Sequence, residues 1–238
     1  VTDEVHPDTA ELACLAARIV GLDIAGIDLV CEDISKPLDV QRGAIVEVNA
    51  GPGLLMHIKP AVGQPRPVGE AIVDHLFAKD EDSRIPVVGV TGSRGKTPVA
   101  RLIAHLSRLS GQYTGLACSE GVFLDGRQVE TPEGTNWDAA ERVLMNRSVE
   151  AAIFENSCRD ILGDGTVYDR CSVGVVTNID PELHFGEFYI DTPEKVWNVF
   201  RTQVDLVLAS GCAVLNAEDP AVVEMASLSD GDVIFYGI

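Results

Sequence analysis

The segment that most constrains this chain reads Val87-Val88-Gly89-Val90-Thr91-Gly92-Ser93-Arg94-Gly95-Lys96-Thr97, followed at helical spacing by Val99, Leu102, Ile103, Leu106 and Leu109. A β-branched run, a glycine turn and an amphipathic stretch in immediate succession require a strand that feeds a helix through a tight loop. Gly92 and Gly95 let backbone N–H groups approach phosphate oxygens, while Lys96 supplies a cation and Thr97 a hydroxyl for Mg²⁺. The motif is a shortened Gly-x-x-Gly-Lys-Thr: Val90 stands where the longer form has its first glycine, and Gly89 falls one place early. Pro98 suits a first helical turn but withdraws one N–H. A purely structural glycine turn is the alternative.

Beyond this loop, apolar runs at 151–154, 173–176, 206–208, 212–215 and 233–236 alternate with helix-length segments, of which 137–149 and 193–208 are the clearest. That alternation predicts an α/β fold with a parallel sheet and crossover helices. Ligands in such sheets gather beyond the carboxyl ends of the strands, where Glu155, Asn178 and His184 would lie. For His184 a surface hydrogen-bonding role stands beside metal binding, and Asp180, Glu182 and Glu187 read as a solvated acidic loop.

The N-terminal third differs. Leu12, Leu15, Ala16, Ile19 and Val20 lie on one face of a predicted helix over 8–20 that stops at Gly21, and 24–31 and 44–48 read as antiparallel strands. Period-two alternation puts Glu47 and Asn49 on one strand face, where Asp28 from the preceding strand would complete an all-oxygen set for a hard cation such as Mg²⁺. The alternative is a polar face turned to solvent. The acidic stretch at 76–86 marks a boundary between domains.

With 46% hydrophobic and 23% charged residues the chain is of folded, globular type. Its 37 acidic and 18 basic side chains give a net charge of −19 with no basic patch, which argues against a nucleic-acid partner. Cysteines 14, 31, 118, 158, 171 and 212 show no paired spacing and read as small apolar residues in a reducing cytoplasm rather than as a zinc site. No apolar run is long enough for a membrane span and no leader is evident, so no membrane association is expected. The opening Val1 suggests that the sequence begins inside a longer reading frame.

Asp28 with Glu47-Val48-Asn49-Ala50-Gly51-Pro52-Gly53 resembles the end of an ATP-grasp ligase domain, whose Mg²⁺ ligands are an Asp, a Glu and an Asn in that order. The short loop, Glu155, and Thr177-Asn178-Ile179 followed by a His resemble the central ATPase domain of Mur-type ligases. The fusion of the two, with Tyr168-Asp169-Arg170-Cys171 and Ala213-Val214-Leu215-Asn216-Ala217-Glu218-Asp219-Pro220, is similar to the cyanophycin synthetase family. The resemblance implies the end of an ATP-grasp α+β domain (1–80), a linker (81–86) and a P-loop, parallel-sheet Mur ligase-like domain (87–238), both domains incomplete.

It implies ATP and Mg²⁺ as cofactors, and aspartate, arginine and a cyanophycin primer as substrates of a cytoplasmic homo-oligomer that proceeds through acyl phosphates. Lys96 and Glu155 would be catalytic. Gly92, Ser93, Arg94, Gly95, Lys96, Thr97 and Asn178 would hold nucleotide, and Asp28, Glu47, Asn49, Thr97, Glu155 and His184 metal. A non-catalytic nucleotide-binding module, and a Mur or folylpolyglutamate-type ligase of other substrate, are the competing readings.

Overall fold

The computed structural model describes residues 3–77, 79, 81, 83–131 and 134–237, and the chain divides into two units, Val1–Ser83 and Arg84–Ile238. The first unit opens with α1 (Pro7–Val20), started by Pro7 and by the His6 ring, which accepts the Asp8 amide. Gly21, at φ 85°, ends α1 by donating to the Ala17 carbonyl at 3.0 Å. An antiparallel ribbon of β1 (Gly26–Val30) and β2 (Ala44–Asn49) follows, then the short α2 (Leu55–Ile58) and α3 (Val68–Leu76).

The apolar stripe of α1 is not buried as its periodicity predicts: Ile19 is 76% exposed, and Leu12, Leu15 and Val20 are exposed as well. Among the described residues of this unit only Thr9 and Leu38 are buried. A two-stranded ribbon has too little surface to cover a helix.

The second unit is a three-layer α/β structure. Its elements are β3 (Val87–Thr91), α4 (Lys96–Leu109), β4 (Thr114–Cys118), β5 (Gly121–Leu124), β6 (Arg127–Glu130), α5 (Trp137–Leu144), β7 (Ala151–Glu155), α6 (Cys158–Gly163), β8 (Cys171–Val176), α7 (Pro193–Asp205), β9 (Val207–Asn216), α8 (Pro220–Val223) and β10 (Asp232–Tyr236). The strands run in the order β10-β9-β8-β3-β7-β4-β5-β6, parallel from β10 through β4 and antiparallel across β4-β5-β6. On one face α4 packs on Val90, Leu116, Ile153 and Val175; on the other, Val143, Val196, Phe200 and Val204 of α5 and α7 pack on Ala152, Phe154 and Leu215.

Several sequence expectations are corrected here. The runs at 206–208 and 212–215 are one ten-residue strand, β9, and the helix expected over 137–149 ends at Leu144, where Asn146 caps a turn by accepting the Ser148 amide. The antiparallel β5–β6 hairpin, turned by Asp125-Gly126, adds an edge to the otherwise parallel sheet. On α4 the sheet-facing residues are Ala100, Ile103 and Ala104, whereas Leu102, Leu106 and Leu109 are exposed. Small side chains let the helix approach the sheet, which turns the leucines outward.

Beneath the centre of the sheet lies a buried polar cluster. The Asn156 amide donates to the Tyr168 hydroxyl at 2.6 Å and to Gln203 Oε1 at 2.7 Å, and the Tyr168 hydroxyl donates to Gln203 Oε1 at 3.0 Å. Gly89 makes room for it, since a Cβ at that position would overlap both the Tyr168 hydroxyl and the Gln203 amide. Replacing Gly89 by Ala is therefore expected to cost about 1–3 kcal/mol of stability by overpacking, read as a lowered urea midpoint with an unchanged slope.

Burial pushes the Cys158 thiol up to about 12 and the Cys171 thiol to about 11, while Cys14 is exposed. A thiol reagent at about pH 8 is expected to label Cys14 well before Cys118, Cys158 and Cys171, which should react freely only after denaturation. Peptide mapping of the labelled protein checks that order.

Candidate functional site

The turn after β3 leaves the sheet where its connections diverge, because β4 lies beyond β7 on one side of β3 and β8 lies on the other. Such a switch point opens a crevice at the carboxyl ends of the strands. Hydrophobic β3 is held between β7 and β8, and the turn's shape follows from what those two strands deliver at their ends.

From β8 come Thr177 and Asn178. The Ser93 amide donates to the Asn178 carbonyl at 2.9 Å and the Arg94 amide to Asn178 Oδ1 at 3.0 Å; Asn178 Nδ2 and Thr177 Oγ1 both donate to the Arg94 carbonyl. Gly92, at φ 136°, is where this approach is closest, for a Cβ would overlap the Thr177 hydroxyl and press on the Asn178 backbone at 3.1 Å. Its conformation and this contact account for glycine here without a ligand.

The amides of Ser93 and Arg94 are thus committed inward, toward Asn178. Ser93 Oγ accepts the Asp180 amide at 2.7 Å, and the exposed Arg94 guanidinium pairs with Asp180 at 3.3 Å. Among the described residues no protein acceptor takes the amides of Gly95, Lys96 or Thr97, the orphan donors at the positive end of the 14-residue α4. Gly95 holds a left-handed φ of 80° to turn the chain into that helix. Pro98 occupies its third position, where an N–H would also lack a helical partner, so its missing donor costs the helix nothing. The Lys96 ammonium has no hydrogen-bond or carboxylate partner among the described residues.

From β7 comes Glu155, only 4% exposed. It accepts Thr97 Oγ1 at 3.1 Å on one oxygen and the Ser119 amide at 2.9 Å on the other, while the Thr97 and Ser119 hydroxyls lie 2.9 Å apart. Ser119, one residue past the end of β4, escapes sequence reasoning because its neighbour Glu155 is brought to it only by the β4–β7 pairing. Asn156, next to Glu155, accepts the Thr91 hydroxyl at 3.0 Å on its carbonyl and donates its amide to Val90, locking the ends of β3 and β7 together.

His184 is exposed in the turn beyond β8, with Nδ1 3.2 Å from the Glu182 carbonyl. The structure does not join it to Glu155: among the described residues no three His, Cys, Asp or Glu side chains are grouped to hold a metal ion.

In the first unit, Asp28 faces Glu47 directly across the ribbon, and Gly26 faces Asn49, so Asp28, Glu47 and Asn49 share a face. Asp28 and Asn49 line a cleft of about 810 Å³ together with Pro52, His57 and His75, while Glu47 is exposed outside that lining.

The Mur ligase middle domain matches residues 90–238. The cyanophycin synthetase of Geminocystis herdmanii is 42% identical over 237 residues, which is 100% of this chain and 27% of that protein, so the chain spans about a quarter of its relative's length. A solved UDP-N-acetylmuramoyl-L-alanyl-D-glutamate–2,6-diaminopimelate ligase superposes with a TM-score of 0.52 at 20% identity, covering 65% of this chain and 32% of its own. Mycobacterium tuberculosis folylpolyglutamate synthase, solved with ADP and AMPPCP, gives 0.50 at 16% identity, covering 64% of this chain and 43% of its own. No described helix is long and apolar enough to cross a membrane. With its mostly parallel sheet and a family match that takes in the end of β3 and the loop and helix of the site, this chain belongs to the Mur ligase family and carries its middle domain.

Proposed function

We propose that residues 87–238 are the nucleotide-handling part of an ATP-dependent amide ligase, and that 1–80, joined through 81–86, are the end of an ATP-grasp domain. The observation that carries this reading is the convergence, at one switch point, of free helix amides, an unpaired Lys96 and the buried Glu155 with two hydroxyls. Phosphate oxygens would accept from the amides of Gly95, Lys96 and Thr97, and the Lys96 ammonium would face the terminal phosphates. Ser93, Arg94 and Asn178 would contribute by holding the turn in register.

Glu155, Thr97 and Ser119 are a carboxylate and two hydroxyls, the hard oxygen donors that suit Mg²⁺ beside a nucleotide, and Asp28, Glu47 and Asn49 make a second such set. Bound Mg²⁺ would supply charge neutralisation of the phosphates. The reaction is the attack of a substrate carboxylate oxygen on the γ-phosphorus with departure of ADP, then attack of an amine on the acyl carbon with departure of phosphate. Likeness to cyanophycin synthetase over the whole chain supports aspartate, arginine and a cyanophycin primer as the reactants, in a cytoplasmic homo-oligomer.

A second reading, a nucleotide-binding module without catalysis, is favoured by one observation: the Ser93 and Arg94 amides are already spent on Asn178. Calorimetric titration of the chain with AMPPCP and Mg²⁺ tests the shared premise. We expect binding that weakens at least about tenfold, or 1.4 kcal/mol, in Lys96→Ala, and loses its Mg²⁺ dependence in Glu155→Gln. Absence of binding in the wild type would overturn both readings; binding without ADP release on adding aspartate, arginine and primer to a protein that contains this segment would leave only the second. Asn178→Ala removes the turn's clamp and is expected to weaken AMPPCP binding by about 1–2 kcal/mol while barely moving the thermal midpoint.

A further inference from the structure

We infer that the chain carries a second anion site, separate from the turn after β3, in a cavity of about 210 Å³ between α4 and the β4–β5 hairpin. Its ligand is a small oxyanion of phosphate or carboxylate type. One wall is basic: Arg101, His105 and Arg108 recur at four- and three-residue steps and so share a face of α4. Three such groups around one cavity stand out in a chain of net charge −19.

The pairing of these cations matters more than their number. Other arginines of this unit, Arg84, Arg142 and Arg170 among them, hold a carboxylate. Arg101 is paired with Glu120 and lies over the Phe123 ring at 5.2 Å. Arg108 has no carboxylate partner among the described residues; it donates only to the Asp125 carbonyl at 3.2 Å. The turn is fitted around it, since a Cβ at Gly126 would overlap the Arg108 guanidinium. A cation built into a glycine-lined notch, neutralised by no carboxylate among the described residues, is a group in want of an anion.

The floor supplies an independent observation. Thr114 and Leu116 alternate onto the α4 face of β4 and line the cavity. Thr114 is only 2% exposed, and its hydroxyl makes no hydrogen bond among the described residues; because no side-chain oxygen sealed from solvent among them lacks a partner, that hydroxyl still opens to the cavity. A hydroxyl open to the cavity is satisfied by water there, and an oxyanion accepting from Thr114 and Arg108 together would take that water's place. The site lies toward the C-terminal end of α4, whose partial negative charge opposes an anion, so the guanidinium charges must carry the binding.

Because phosphate could also occupy the turn after β3, the test uses Lys96→Ala as its background. Inorganic phosphate and succinate are titrated separately into that chain at fixed ionic strength, with chloride as control, and thermal midpoints and calorimetric heats are read. We expect a rising midpoint and a Kd of about 1 mM or below for at least one of the two. The preferred one tells phosphate from carboxylate as the source. Adding Arg108→Gln, which changes a surface side chain, or the isosteric Thr114→Val, is expected to weaken that binding tenfold or more while the far-ultraviolet dichroism is retained. The inference is overturned if neither anion binds the Lys96→Ala chain, or if binding survives both added substitutions undiminished.

Discussion

The site depends on the clamp between the turn after β3 and the end of β8. Four hydrogen bonds from or to Thr177 and Asn178 fix Ser93 and Arg94, and the close approach they require is available only because residue 92 has no side chain. Backbone groups that would otherwise compete for a ligand are used to set the turn's shape. The donors left over, at Gly95, Lys96 and Thr97, lie at the N-terminal end of α4. Preorganisation of this kind removes the ordering cost from a binding step.

A second constraint acts from below. The Asn156–Tyr168–Gln203 cluster places three polar side chains in the core, and each finds a partner, so the desolvation cost of burial is offset and the positions of β7 and α7 are tied to one another. Burial pushes the Tyr168 phenol well above its ordinary pKa, which keeps it neutral and able to donate. Tyr168 also stacks on Phe154 at 5.5 Å, one residue before Glu155. The carboxylate at the site is therefore carried on a strand end held by both apolar and polar packing.

What could be read from sequence follows from which interactions are local. The strand, turn and helix over 87–109 announce themselves because each depends on its own residues: β-branched runs, positive-φ glycines, helical spacing. The Asp125-Gly126 hairpin carries an equally local signal that the apolar-run reading passed over, since β6 is exposed on all four residues and Val129 is its single apolar one. Ser119 beside Glu155, Gly89 beside Gln203 and Gly92 beside Thr177 are long-range pairs decided by tertiary packing, so a glycine motif could suggest phosphate and still leave unseen that its Gly92, like Gly89 before it, answers to packing. The outward leucines of α4 mislead for a related reason: helical periodicity identifies an apolar stripe, but with alanines at 100 and 104 the sheet selects the narrower face.

Net charge bears little on either proposed site. At physiological salt, charges more than roughly 8 Å apart are largely screened, so the surplus of acidic groups acts mainly as a diffuse surface term. Close to the turn after β3 the relevant charges are the helix end, Lys96 and an Arg94 half neutralised by Asp180, against the single buried Glu155. That carboxylate accepts the Thr97 hydroxyl and the Ser119 amide rather than pairing with Lys96. Separating the acid from the base in this way leaves the ammonium and the carboxylate each without an opposite charge as partner, a division that an internal ion pair between them would have abolished.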